Sequence, residues 1–417
     1  MLQSGRRRRG NPQHLQPHLL LTGGKLVMEE LMPGFTAQLE AAGMEQMDVG
    51  EAHIWDHGAV RARGPTSIKA ICVTRRVLEQ CLRDRVLADA GPRLRLRDKT
   101  RVTALLWDEV CRSVLGVRLA GCEEVRADVV VDSSGRNSPT PRWLQDAGWT
   151  APGMKIGSKA LACYSRPWGR RNALILGGVN GTWQVTLYGY EGEQAPLDSM
   201  DAYMDFAALL PDQTAYRFLQ RATFLTPVMR YAATSNEQRL YDKVPMPPGL
   251  LVIGDAAQVV DPFYGQGMSV VAMAAKTLGQ EVGRALGGAR TAEERRAALR
   301  LLSATWQETL ARSNEPAWLM ATVYMDGLAR LMHSDPAASE AFFAVAYLVK
   351  PMSALFSPSL VFKVLWLLLR ENLGLVALPQ PPLQAAGKAG PAAETASAAD
   401  NGAGRRQHDG MPAAADE

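Results

Sequence analysis

Residues 249–275 read GLLVIGDAAQVVDPFYGQGMSVVAMAA, an order that predicts a buried strand, a sharp turn, a loop and a helix. Residues 250–253 are a short apolar run closed by Gly254, the pattern of a strand covered on both faces. Asp255 therefore stands at the carboxyl end of that strand. From Gly267 onward, Met268, Val270, Val271, Met273, Ala274 and Ala275 favour a buried helix, whose first amides have no partner within the helix. Such an end attracts negative charge. One carboxylate and one helix N-terminus are thus delivered to the same place.

A carboxylate suits sugar hydroxyls and a helix dipole suits an electron-rich ring, a combination that a flavin nucleotide needs. Gly254-Asp255-Ala256-Ala257 followed by Asp261-Pro262-Phe263-Tyr264-Gly265-Gln266-Gly267-Met268 resembles the second FAD-binding motif of FAD-dependent aromatic hydroxylases and related monooxygenases. It is most similar to the variant of bacterial-type oxidoreductases related to polyprenyl-methoxyphenol hydroxylases, with Asp261 in place of the usual Asn. The resemblance implies that Asp255 hydrogen-bonds the ribityl chain. It also implies that Pro262 and the backbone of Gly265, Gln266, Gly267 and Met268 line the isoalloxazine. Without the resemblance, the same stretch is also consistent with an ordinary strand, loop and helix carrying a capping Asp.

Other segments extend the likeness. The strand at 127–132 ends in Asp132 and runs into Ser133-Ser134-Gly135-Arg136-Asn137-Ser138, as at the carboxyl edge of a parallel sheet, where open α/β folds bind ligands. It resembles the family's Asp-Ala-Ser-Gly-x-x-Ser segment. Thr74-Arg75-Arg76-Val77-Leu78-Glu79 is similar to its Thr/Ser-Arg-x-x-Leu-Glu segment. By that likeness Arg75 contacts FAD, and the backbone of Val102 meets the adenine. Arg75 also reads as a surface arginine on a helix, and Asp132 as a residue that stabilises its own turn.

Composition limits the other function classes. The chain has 417 residues, 47% of them apolar, enough for a large core and more than one domain. A net charge of +4 with scattered arginines, Arg6 to Arg9 apart, gives no support for nucleic-acid binding. Five cysteines without a Cys-x-x-Cys pair point to a reducing compartment, the cytoplasm, and away from disulfides or zinc. His53 and His57 have i, i+4 spacing, but Gly50 and Gly58 around them favour a loop or strand over a metal site.

No segment offers the roughly 18 uncharged apolar residues of a membrane span. Residues 355–378 come nearest, yet Pro358, Lys363, Arg370 and Glu371 interrupt them. They read as amphipathic helices, in the core or in peripheral membrane contact. Beyond Pro379 the composition of Ala, Gly, Pro, Gln and Asp predicts disorder.

Along the chain, residues 18–42 read as helical with a stop at Pro33-Gly34. A helix over 74–90 starts at Thr74, and strands are expected near 93–107 and 110–119. Residues 161–164, 173–178 and 183–190 suggest an antiparallel sheet, and 199–210 a helix. The expected organisation is 1–155 and 249–290 as two parts of an FAD-binding domain, 156–248 as an antiparallel substrate sheet, 291–378 as a helical cap and 379–417 as a tail. The fold class expected is α/β, with an incomplete Rossmann-like FAD-binding domain.

The departure lies at the front, because the chain contains no Gly-x-Gly-x-x-Gly. The family opens with that phosphate loop, and here the sequence starts near Arg8-Arg9-Gly10-Asn11-Pro12-Gln13, which resembles the segment that follows it. Losing the loop removes charge-assisted contacts that together amount to about 5 kcal/mol. Either the sequence is an incomplete gene product or the protein is a non-flavin relative. The expected activity is an NAD(P)H-dependent FAD monooxygenase that hydroxylates an aromatic or isoprenoid-like small molecule. The alternatives are a flavin-dependent prenyl-lipid reductase and a non-catalytic remnant.

Overall fold

Two short strands, Val130–Asp132 and Leu250–Val252, pair in parallel, with Leu250 opposite Val130 and Val252 opposite Asp132. Leu250, Leu251 and Val252 are all buried, as their unbroken apolar run requires. The helix Ala292–Asn314 covers them: the fully buried Trp306 donates from its indole Nε1 to Val252 O at 3.0 Å. Tyr241, Leu144, Leu302 and Leu310 complete that core.

The computed structural model describes residues 16–56, 59–156, 171–178, 181–189, 199–229, 237–260, 265–314 and 328–372. They belong to one compact unit, Met1–Pro381. A meander of Val102–Asp108, Ser113–Leu119 and Glu124–Arg126 joins the parallel pair where Val114 N donates to Pro248 O at 2.8 Å. A second antiparallel sheet places Lys69–Val73 between His18–Leu20 and Glu45–Asp48. A third runs Met154–Ile156, Glu237–Arg239, Gln258–Val259. The hairpin Arg171–Gly177 with Trp183–Gly189 gives the antiparallel pairing expected of the middle section, while 161–164 lies outside the described residues. This mixture of a parallel pair, antiparallel sheets and long helices is the α/β class that the sequence predicts.

Some helix starts follow local chemistry. Arg75–Ala90 starts where Thr74 Oγ1 accepts from Val77 N at 3.3 Å, and Met200–Ala208 where Ser199 Oγ accepts from Ala202 N at 3.1 Å. Residues 18–42 are a correction. His18–Leu20 is a strand, because it pairs with Lys69–Val73, and only then do the helices Thr22–Leu31 and Phe35–Ala41 follow. The strand expected from 93 begins at Val102 instead, since 94–101 are solvent-exposed and pair with no strand. Over 291–378 the described helices are Ala292–Asn314, Pro336–Ala346 and Pro358–Asn372. Among the described residues, no helix is long and apolar enough to cross a membrane.

Candidate functional site

Asp132 and Asp255 sit where the parallel strands end, and Ile253 N donates to Asp132 O at 2.9 Å across the gap. The side chains have different surroundings. The Asp132 carboxylate accepts from Ser134 N at 2.8 Å, Ser138 Oγ at 2.5 Å and Thr140 Oγ1 at 2.6 Å. Burial alone would raise its pKa, but these hydrogen bonds outweigh burial and hold it below the ordinary carboxylate range. Its oxygens are committed to its own turn, the second of the two roles considered for it.

Asp255 lies in the tight turn Gly254–Ala256 and remains accessible to solvent. No hydrogen-bond donor among the described residues meets its carboxylate. Protein walls around it push its pKa up by desolvation, only partly offset by the nearby charges of Arg136 and Arg75. A carboxylate open on one side, walled on the others and flanked by two guanidinium groups is a ready acceptor for hydroxyl donors. Arg75 is half-buried and pairs with Glu79 at 3.0 Å one turn along its helix, so its charge is shared between that partner and Asp255.

No local pattern singles out Arg239. Its guanidinium donates to Ala256 O at 2.8 Å, to Asp255 O at 3.4 Å and to Arg136 O. One side chain thereby ties the turn after Leu250–Val252 to the turn after Val130–Asp132. Arg136, also missed as an individual residue, lies 3.5 Å from Glu237. The only signal available was an arginine in a short strand just upstream of the Gly-Asp turn; its partners lie more than 100 residues away or across that turn.

The described chain resumes at Gly265, whose φ of +64° is the left-handed conformation that glycine tolerates without strain. Pro262 and Asp261 lie outside the described residues. Gln266 precedes the helix Gly267–Leu286, and its side chain does not cap that helix. Among the described residues, no side chain accepts from the first-turn amides of Gly267 and Met268. The buried Gln266 side chain turns away and donates from Nε2 to Ala346 O at 2.9 Å, fixing the loop to Pro336–Ala346. Met268 packs into the core around Met28, Phe35 and Ile71. Thr22–Leu31 lies against this helix so closely that a Cβ on Gly24 would stand 2.3 Å from Ser269 Oγ.

The structure thus brings together Asp132, Asp255, Arg75 and the turns around them. Val102 is set apart: it opens the edge strand of the meander, at the end away from the Val114–Pro248 bond. His53 Nε2 lies 2.6 Å from Asp212, and among the described residues no group of three His, Cys, Asp or Glu could hold a metal.

No family model matches the chain. Protein Rv3254 of Mycobacterium tuberculosis is 27% identical over 348 residues, spanning 75% of this chain and 70% of that protein. PqsL, a probable FAD-dependent monooxygenase from Pseudomonas aeruginosa, superposes with a TM-score of 0.50 at 17% identity, covering 82% of this chain and 90% of PqsL. The fold is that of the FAD-dependent monooxygenases. PqsL in complex with 2-aminobenzoylacetate gives the same TM-score at 18% identity and the same coverage.

Proposed function

We propose that the protein is an FAD-dependent monooxygenase that uses NAD(P)H to hydroxylate an aromatic or isoprenoid-like small molecule. The observation that carries this reading is Asp255: a walled carboxylate with no donor among the described residues, at a parallel strand end, in the turn that leads to an uncapped helix N-terminus. Bound FAD would supply the redox chemistry, passing two electrons from NAD(P)H to dioxygen so that one oxygen atom enters the substrate and the other leaves as water.

This chain's own residues account for the rest. Asp255 accepts hydrogen bonds from sugar hydroxyls, and Arg75 and Arg136 limit the cost of holding its charge there. The amides at the start of Gly267–Leu286 offset negative charge on the electron-rich edge of the ring. Gln266 and Pro336–Ala346 hold that loop in place, and Arg239 fixes the spacing of the two turns. The hairpin Arg171–Gly177 with Trp183–Gly189 supplies a sheet against which an apolar substrate can lie.

The test is to purify the full chain, add FAD and follow the blue absorption of bound flavin. The proposal expects retained flavin, a loss of at least tenfold in affinity for Asp255→Ala, and incorporation of labelled oxygen into product. A colourless chain that cannot be reconstituted would falsify it and favour a non-catalytic relative. Flavin without oxygen incorporation would favour a reductase.

A further inference from the structure

The helix Pro358–Asn372 is apolar on both sides. Its inner face, Leu360 at 6% and Val364 at 0% exposure, packs on Phe342, Phe343 and Leu355. Its outer face carries Phe362 at 68%, Leu365 at 57%, Trp366 at 52% and Leu369 at 48% exposure, with Phe356 at 51% just before it. These four helix positions follow i, i+3, i+4, i+7 spacing and form one stripe. Phe362 and Trp366 lie parallel, their ring centroids 6.4 Å apart. A helix apolar all round in an aqueous protein has a second face that something must cover.

The charges around the stripe identify the cover. Lys350, Lys363 and Arg370 are exposed, and Glu371 is the only acidic residue of the sequence between 341 and 372. Lys363 already neutralises Asp335 at 2.5 Å, so no free carboxylate of that pair opposes the remaining cations. An isologous contact between two copies would set this stripe and its cations against themselves, with Glu371 alone to answer Lys350 and Arg370. The sequence beyond residue 378 offers little apolar surface for a cover. Residues 373–378 continue the apolar run with Leu373, Leu375, Val376 and Leu378, and 379–417 contain only Leu383 and Met411 as large apolar side chains. An aromatic and aliphatic stripe edged by cations matches a surface that is apolar below and anionic above.

We propose that the outer face of Pro358–Asn372 docks on an anionic lipid bilayer, lying in the headgroup plane with Phe362, Leu365, Trp366 and Leu369 inserted and Lys350 and Arg370 on lipid phosphates. This surface does not depend on the flavin reading, and its test needs no cofactor.

The full chain is floated with vesicles of phosphatidylcholine alone and with about a quarter phosphatidylglycerol. It is expected to float with the anionic vesicles, less in high salt. The doubly substituted Phe362→Ser, Trp366→Ser chain should partition on the order of tenfold less. Lys350→Gln with Arg370→Gln should remove the preference for phosphatidylglycerol. Because these side chains point to solvent, thermal unfolding of each variant should match the parent, which separates lost binding from lost fold. Quenching of tryptophan fluorescence by brominated lipid, absent in the double variant, reports insertion directly. Failure of the parent chain to float overturns the proposal. So does a parent chain that runs as a dimer and becomes monomeric on the double substitution.

Discussion

Asp132 and Asp255 close neighbouring strands of one parallel pair, yet their surroundings move their pKa values in opposite directions. Asp132 is saturated by its own turn and stays ionised. Asp255 is left with a desolvation cost that Arg136 and Arg75 only partly offset. A carboxyl whose folded pKa is raised binds more protons folded than unfolded, so stability falls as pH rises from its unfolded value, near 4, through its folded value. Above that window the cost is fully present. Asp255→Asn should therefore raise the melting temperature of the flavin-free chain at neutral pH and leave it unchanged in acid, while weakening flavin retention. Thermal unfolding at both pH values checks the first part, and flavin titration the second. Asp255 was legible in the sequence because a Gly-Asp turn after an apolar strand is a local signal. Arg239 was not, because its role exists only through carbonyls on two turns that the fold brings together.

At the scale of elements, the helices Thr22–Leu31 and Gly267–Leu286 pack in close contact. A Cβ on Gly24 would lie 2.3 Å from Ser269 Oγ and 2.7 Å from Ser269 Cα, so the main chain itself must yield. Gly24→Ala should destabilise the protein by about 1–3 kcal/mol and displace the first turn of the flavin-side helix. Ser269→Ala on its own should instead be neutral or stabilising, since the buried Ser269 hydroxyl has no hydrogen-bond partner among the described residues. Urea unfolding of both variants separates these outcomes. The sequence showed Gly23-Gly24 but read it as part of one helix from residue 18. Three residues before that helix were claimed by Lys69–Val73, a pairing across some 50 positions that no local pattern announces. The alternating Leu and Arg of 94–97 failed in the other direction: the period fits a strand, but among the described residues no strand pairs with 94–101.

Across the whole molecule, Trp306 links the late helix Ala292–Asn314 to the strand that ends at the site. It is fully buried and donates to Val252 O, which also receives Gln307 Nε2 at 3.2 Å. Trp306→Ala should cost about 3–5 kcal/mol, seen as an earlier urea midpoint, with the largest local effect on hydrogen exchange at Leu250–Val252. The α/β class was readable because the strand, turn and helix around Asp255 are contiguous. The packing of the helices over residues 291–372 was not, since an apolar periodicity does not say which partner a face meets. The parallel pair carries a kinetic consequence. Val130 and Leu250 are 120 positions apart, so aligning their strands closes a long loop and carries its entropy cost. The Asp132 and Asp255 turns come together only when that loop is closed. A ligand that bridges them binds only chains that have completed this closure, and its occupancy counts finished molecules.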